Sequence, residues 1–166
     1  MRHRLTHLKT YHSNKVIQDG THIVTIKEIS DDLGSRNGPW IDQTPQLKIV
    51  FENSAGAKIS MWINLIGYFT KDDFTGQTPE SIEFRQHPTS KELYAVSKAA
   101  NKRIIHPAKT ETCHQIVHRV AECSGIDGEY QLHNLLGRQL KITVHGSRVV
   151  RTDRIETTEQ ISAPTF

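Results

Sequence analysis

A chain of 166 residues can bury an ordinary core without disulfides or metal, and a composition of 36% hydrophobic and 23% charged residues argues against global disorder. Net charge is +3, from 21 Lys and Arg against 18 Asp and Glu, a balance that permits an anionic partner without demanding one. Two cysteines, Cys113 and Cys123, exclude a disulfide framework and suit a reducing compartment.

Residues 1–20 read as a basic leader, beginning MRHRLTHLKTYHSNK. No apolar run of signal-peptide length follows it and no window approaches a membrane span, so the expectation is a cytoplasmic protein with no membrane partner. A single domain is expected over 21–157, with a loose tail at 158–166.

Within that domain THIVTIKEI, from Thr21 to Ile29, is β-branched and alternating and follows the turn pair Asp19-Gly20, which predicts a strand. SDDLGSRNGPWIDQT is dense in Gly, Asn, Pro and Asp and reads as a long loop. The next strand, PQLKIVFEN, turns Leu47, Ile49 and Phe51 inward and Gln46, Lys48, Val50 and Glu52 outward. Ser54-Ala55-Gly56-Ala57 reverses the chain into KISMWINL, where Ile59, Met61, Ile63 and Leu65 share one face. Lys58, Ser60, Trp62 and Asn64 share the other, so a large aromatic falls among polar groups.

GYFTKDDFTGQTPESIEFRQHP is loop-like and aromatic, with a short strand expected at Ser81 to Phe84. Thr89-Ser90-Lys91-Glu92 has capping-box spacing and predicts a helix from Ser90 to Lys102. A second helix is expected from near Thr110 to a left-handed cap at Gly125, with Cys113, Ile116, Val117, Val120 and Ala121 as its apolar stripe. The segment at about 90–125 is thus a helical insertion between β-rich ends. QLKITVHGSRVVRTDRIE then alternates again, with Leu140, Ile142 and Val144 inward and a His-Gly-Ser turn before a last strand.

The order of these pieces fits a mainly β fold with an α insertion: an OB-like Greek-key β-barrel with a helical connection between its third and fourth strands. WIDQTPQLKIVFEN followed by Gly56, then WINLIGY (Trp62 to Tyr68), then LLGRQLKITV (Leu135 to Val144) sharpen it. In this pattern the chain resembles the OB-fold single-stranded-DNA-binding proteins of phages and integrated mobile elements. The resemblance implies binding of single-stranded nucleic acid, DNA ahead of RNA, with little sequence preference and no cofactor. Homo-oligomerisation is left open.

Such binding needs aromatic faces for bases and cations for phosphates. Trp62 with Lys48, Lys58 and Ser60 supplies both on one sheet face, and Trp40, Tyr68 and Phe74 lie in adjoining loops. Lys98, Lys102 and Arg103 fall in a stretch from Leu93 to Thr110 that has no acidic residue, and they would flank the groove. The alternative is a non-enzymatic interaction or structural protein of a phage or integrated element, with Trp62 covered by its own helices.

Other chemistries are weaker. His114 and His118 stand one helical turn apart beside Cys113, but no third ligand follows at a convincing interval, so no metal is expected. Phosphate-cradling glycine loops, zinc-protease helices and nucleophile elbows are absent from the sequence. Asp31-Asp32 and Asp72-Asp73 with Glu83 are compatible with magnesium ligands but equally with turn chemistry, and no catalytic residue is assigned.

Overall fold

The computed structural model describes residues 16–33 and 40–156. The basic leader up to residue 15, part of the long loop and the tail lie outside the described residues. Among the described residues the fold is mainly β, with antiparallel sheets and one α-helix; its larger sheet is open rather than closed into a barrel. Among the described residues no helix is long and apolar enough to cross a membrane.

The larger sheet takes the order β3-β2-β1-β7-β8, from β1 (Gly20–Leu33), β2 (Pro45–Glu52), β3 (Lys58–Asn64), β7 (Gln139–His145) and β8 (Arg148–Asp153). A smaller sheet takes the order β4-β5-β6, from β4 (Ile82–Gln86), β5 (Leu93–Ser97) and β6 (Lys102–Arg103). The helix α1 runs from Pro107 to Cys123. By backbone contacts the chain divides into two compact units. Unit 1 comprises residues up to Ser30, Lys48–Trp62 and those from His118 onward, and unit 2 comprises Asp31–Leu47 and Ile63–Val117.

In unit 1 alternation decides the faces. Val24 and Ile26 of β1, Ile49 and Phe51 of β2, Ile59 of β3, and Leu140, Ile142 and Val144 of β7 are all buried, while their sequence neighbours point the other way. The β2–β3 turn is stapled by Asn53, whose Oδ1 accepts from the amides of Ala55 at 3.0 Å and Ala57 at 2.9 Å. Gly56 follows at φ 84°, where a side chain would be strained. Between β7 and β8, Gly146 and Ser147 both have positive φ and join paired residues His145 and Arg148, the geometry of a two-residue type I′ hairpin. The C-terminal part of α1 contributes Val120, Ala121 and Cys123 to the same core, and its end is closed by a bond from the Ile126 amide to the Ala121 carbonyl at 3.1 Å, with Gly125 left-handed.

Two expectations for this unit change. β1 begins at Gly20 and runs four residues past Ile29, to Leu33, so part of the expected loop is strand. Val50, expected outward, is only 7% exposed, because β2 is an interior strand on which neighbours crowd a short side chain from both sides.

In unit 2 the expected helix at Ser90–Lys102 is instead a strand, a turn and a strand. Leu93 to Ser97 pair with β4, Ser97 pairs with Lys102, and Asn101 turns the chain at φ 56°. The apparent capping box is a polar turn: His87 Nδ1 accepts from the amides of Thr89 and Ser90, each at 3.1 Å, and Lys91 has φ 64°, which no helix start adopts. Pairing with the adjacent strands β4 and β6 overrode the helix signal. The strand expected at Ser81–Phe84 is present as β4, one residue later and extended to Gln86.

α1 starts three residues before the expected Thr110, at Pro107, whose fixed φ and missing donor suit the first helical position. Val117 is buried, but Ile116, assigned to the apolar stripe, is 42% exposed. Gly67 is required here: a Cβ on it would lie 2.4 Å from Lys109 Cβ. Thr110 Oγ1 accepts from the Gly67 amide at 3.0 Å, fixing the helix start against this loop.

Candidate nucleic-acid interface

Trp62 is 49% exposed on the outer side of β3, the side that period-two alternation assigned it. Its ring is half in solvent, whereas Val50 on the same face is buried. Lys48 of β2 places its Nζ 5.2 Å from the Trp62 ring centroid, a cation–π contact that keeps the ammonium beside a flat aromatic surface. Ser60 and Lys58 follow on the same side of β3, the first half-buried and the second exposed.

The outer face continues through unit 1. Lys58 Nζ lies 3.8 Å from Glu52 Oε2 and Lys27 Nζ lies 3.6 Å from Glu52 Oε1, so one carboxylate of β2 links cations of β3 and β1. On β1 and β7, Thr21 pairs with Thr143 and Ile23 with Lys141, and the Thr21 and Thr143 hydroxyls are 3.3 Å apart. On β8, Arg151 opposes Thr143 and Asp153 opposes Lys141, with Arg151 Nε 2.8 Å from Asp153 Oδ2. The face thus carries Lys27, Lys48, Lys58, Lys141 and Arg151 against Glu52 and Asp153, beside one exposed indole. An excess of cations with an aromatic platform matches the chemistry of single-stranded nucleic acid.

Lys27, Lys141 and Arg151 were not singled out from the sequence. Their parity within each strand is readable there, but their membership of one face depends on β1 lying between β2 and β7.

The remaining expected site residues lie in unit 2, where they divide further. Trp40 is 3% exposed and Tyr68 7%, and with Tyr94 they enclose the Arg103 guanidinium, its Cζ 4.8, 4.0 and 5.6 Å from the three ring centroids. Arg103 Nε donates to Asp42 Oδ2 at 3.0 Å and Nη2 to Thr44 Oγ1 at 2.7 Å. The cation's edge is committed to its own chain. Burial pushes the Tyr94 phenol up, with Glu92 adding in the same direction. Phe74 packs with Phe69 and Phe84 at ring separations of 5.7 and 5.5 Å. Lys98 and Lys102 are exposed, at the β5–β6 turn and on β6.

Unit 2 also holds a close ion pair at the helix start. Lys109 Nζ donates to Asp73 Oδ2 at 2.6 Å, and the Thr70 amide donates to the same oxygen at 2.8 Å. These bonds, the Lys109 one foremost, hold the Asp73 carboxyl at about 2, below its ordinary 3.8. Asp73 therefore acts as an anchor of the loop at the helix start.

His114 and His118 have protein partners: His114 Nε2 lies 3.0 Å from the Leu65 carbonyl and His118 Nδ1 2.6 Å from the Tyr130 hydroxyl. Burial pushes the Cys113 thiol up, away from the thiolate a metal would need. Among the described residues no group of three or more His, Cys, Asp or Glu is placed to hold an ion.

No family model, curated protein or solved structure matches the chain.

Proposed function

We propose that the protein binds single-stranded nucleic acid, DNA ahead of RNA, without marked sequence preference, through the outer face of the larger sheet in unit 1. The observation that carries this reading is the half-exposed Trp62 with the Lys48 ammonium 5.2 Å from its ring, on a face where cations outnumber carboxylates. A base stacks on the indole and the neighbouring lysines neutralise phosphates, chemistry that needs no acid, base or nucleophile.

The strand order β3-β2-β1-β7-β8, with α1 entered after β3 and left before β7, supports an OB-like Greek key that stays open between β3 and β8. The resemblance of the WIDQTPQLKIVFEN, WINLIGY and LLGRQLKITV segments to phage and mobile-element single-strand-binding proteins supports the same function.

Tryptophan fluorescence tests the proposal directly. Trp40 is 3% exposed and Trp62 49%, so quenching on addition of oligo-dT reports Trp62, and the Trp62→Phe variant serves as the control. Saturable quenching in wild type that is absent from Trp62→Phe is the expected result. Unchanged fluorescence, with no shift of a labelled oligonucleotide, would sink the reading; oligo-U in place of oligo-dT reports DNA against RNA.

A further inference from the structure

Glu52, the last residue of β2, sets a carboxylate among the lysines of this face, between β1 and β3. Its two oxygens face different ammonium groups, Oε1 that of Lys27 at 3.6 Å and Oε2 that of Lys58 at 3.8 Å. Three adjacent strands supply the three groups. The carboxylate side chain is 26% exposed and the lysines 50% and 59%, so the anion is seated and the cations reach solvent. Both separations exceed the roughly 2.7–2.9 Å of a tight charge-assisted hydrogen bond, so these are loose pairs that a stronger anion can replace.

We infer that Glu52 is a built-in competitor for the nucleic-acid phosphates: it occupies Lys27 and Lys58 in the free protein and is displaced from them when a strand binds. The inference rests on the single-strand reading of this face and adds to it a regulating residue, Glu52, and a further phosphate-contacting one, Lys27. Phosphates arriving over the face draw both ammonium groups outward, while Glu52 stays on β2. Its charge then repels the bound strand. The consequence is weaker and faster-exchanging binding than the lysines alone would give, which suits a protein that must release or slide along its ligand.

The test compares wild type and Glu52→Gln, which keeps the side chain's shape, in binding to oligo-dT of about 15 nucleotides, a length near the upper site size of one such domain. Glu52→Gln is expected to bind about 3- to 10-fold more tightly at low salt, since two exposed ion pairs no longer compete, and the gain shrinks as salt rises. The slope of log affinity against log salt steepens by about 0.7 for each phosphate newly engaged. Lys27→Ala costs more affinity in the Glu52→Gln background than in wild type, a non-additivity that a purely structural role for Glu52 would not produce. A wild type that binds while Glu52→Gln binds equally or more weakly, with an unaltered salt slope, overturns this inference and leaves the proposed function standing. No binding by wild type overturns both. Should Glu52→Gln melt early, Lys27→Ala alone decides: reduced affinity and a flatter salt slope support the inference, and unchanged values overturn it.

Discussion

The protein's two tryptophans sit in opposite circumstances with the same kind of neighbour. Trp40, in unit 2, has the Arg103 guanidinium 4.8 Å from its ring and is 3% exposed, whereas Trp62, in unit 1, has the Lys48 ammonium at 5.2 Å and is 49% exposed. A cation beside an indole therefore bears on function only where the ring is also exposed, as at Trp62. What separates the two is whether the cation's hydrogen bonds are already spent. Arg103 is held by Asp42 and Thr44 and walled by Tyr68 and Tyr94, so its box is internal scaffolding. Lys48 is half-buried beside the exposed Trp62 ring, where a flexible, strongly hydrated ammonium can exchange partners.

The largest expected effect breaks the internal member of this pair. Arg103→Ala leaves Asp42, whose side chain is 14% exposed, without its cation and opens a void among the rings, at a cost of about 3 kcal/mol in folding stability. Urea unfolding measures the loss, and oligonucleotide affinity of the folded fraction should be retained; a fully stable Arg103→Ala protein with lost binding would invert the comparison.

Next comes the exposed member. Trp62→Ala is expected to lose about 1–3 kcal/mol of affinity for oligo-dT, roughly 5- to 150-fold, because a stacking platform is gone. Its melting temperature should stay near that of wild type. An early-melting Trp62→Ala whose folded fraction still binds would assign this indole to the scaffold with Trp40.

A smaller effect distinguishes fixed from exchangeable ion pairs by pH. Asp73 has a folded-state value of about 2 against an ordinary 3.8, so its contribution is fully present above about pH 4 and is lost as pH falls through 2. Asp73→Asn should lower stability at neutral pH and flatten the acid limb between those values in a pH series of thermal melts. The exposure of Lys109, 39% at the side chain, makes solvent screening reduce the size of this step.

The smallest change is expected from Lys48→Gln, which removes one exposed cation. Affinity should fall less than for Trp62→Ala, and the salt slope should flatten by about 0.7, measured by titrating oligo-dT at several salt concentrations. A loss that does not vary with salt would mean that Lys48 acts through the Trp62 ring rather than on phosphate.

The sequence by itself determined the two-faced strands. Alternation in KISMWINL, PQLKIVFEN and QLKITV assigned Ile59, Leu47, Ile49, Phe51, Leu140, Ile142 and Val144 to the core and Trp62 and Lys58 to the open side, as found, because side-chain direction in a strand reverses with every residue. The helix end at Gly125 was legible for the same local reason, a left-handed residue closing the last turn. Tertiary structure decided the rest. Leu93 to Ser97 became strand because β4 supplied a partner, against a turn that imitated a helix start. Trp40, Tyr68 and Arg103 proved to be one buried cluster because residues from three separate stretches converge, and loop residues carry no periodicity that would announce it. Glu52 came to lie between Lys27 and Lys58 only because β1, β2 and β3 are neighbours, for the charge on each strand is written locally but the pairing of charges is set by strand order.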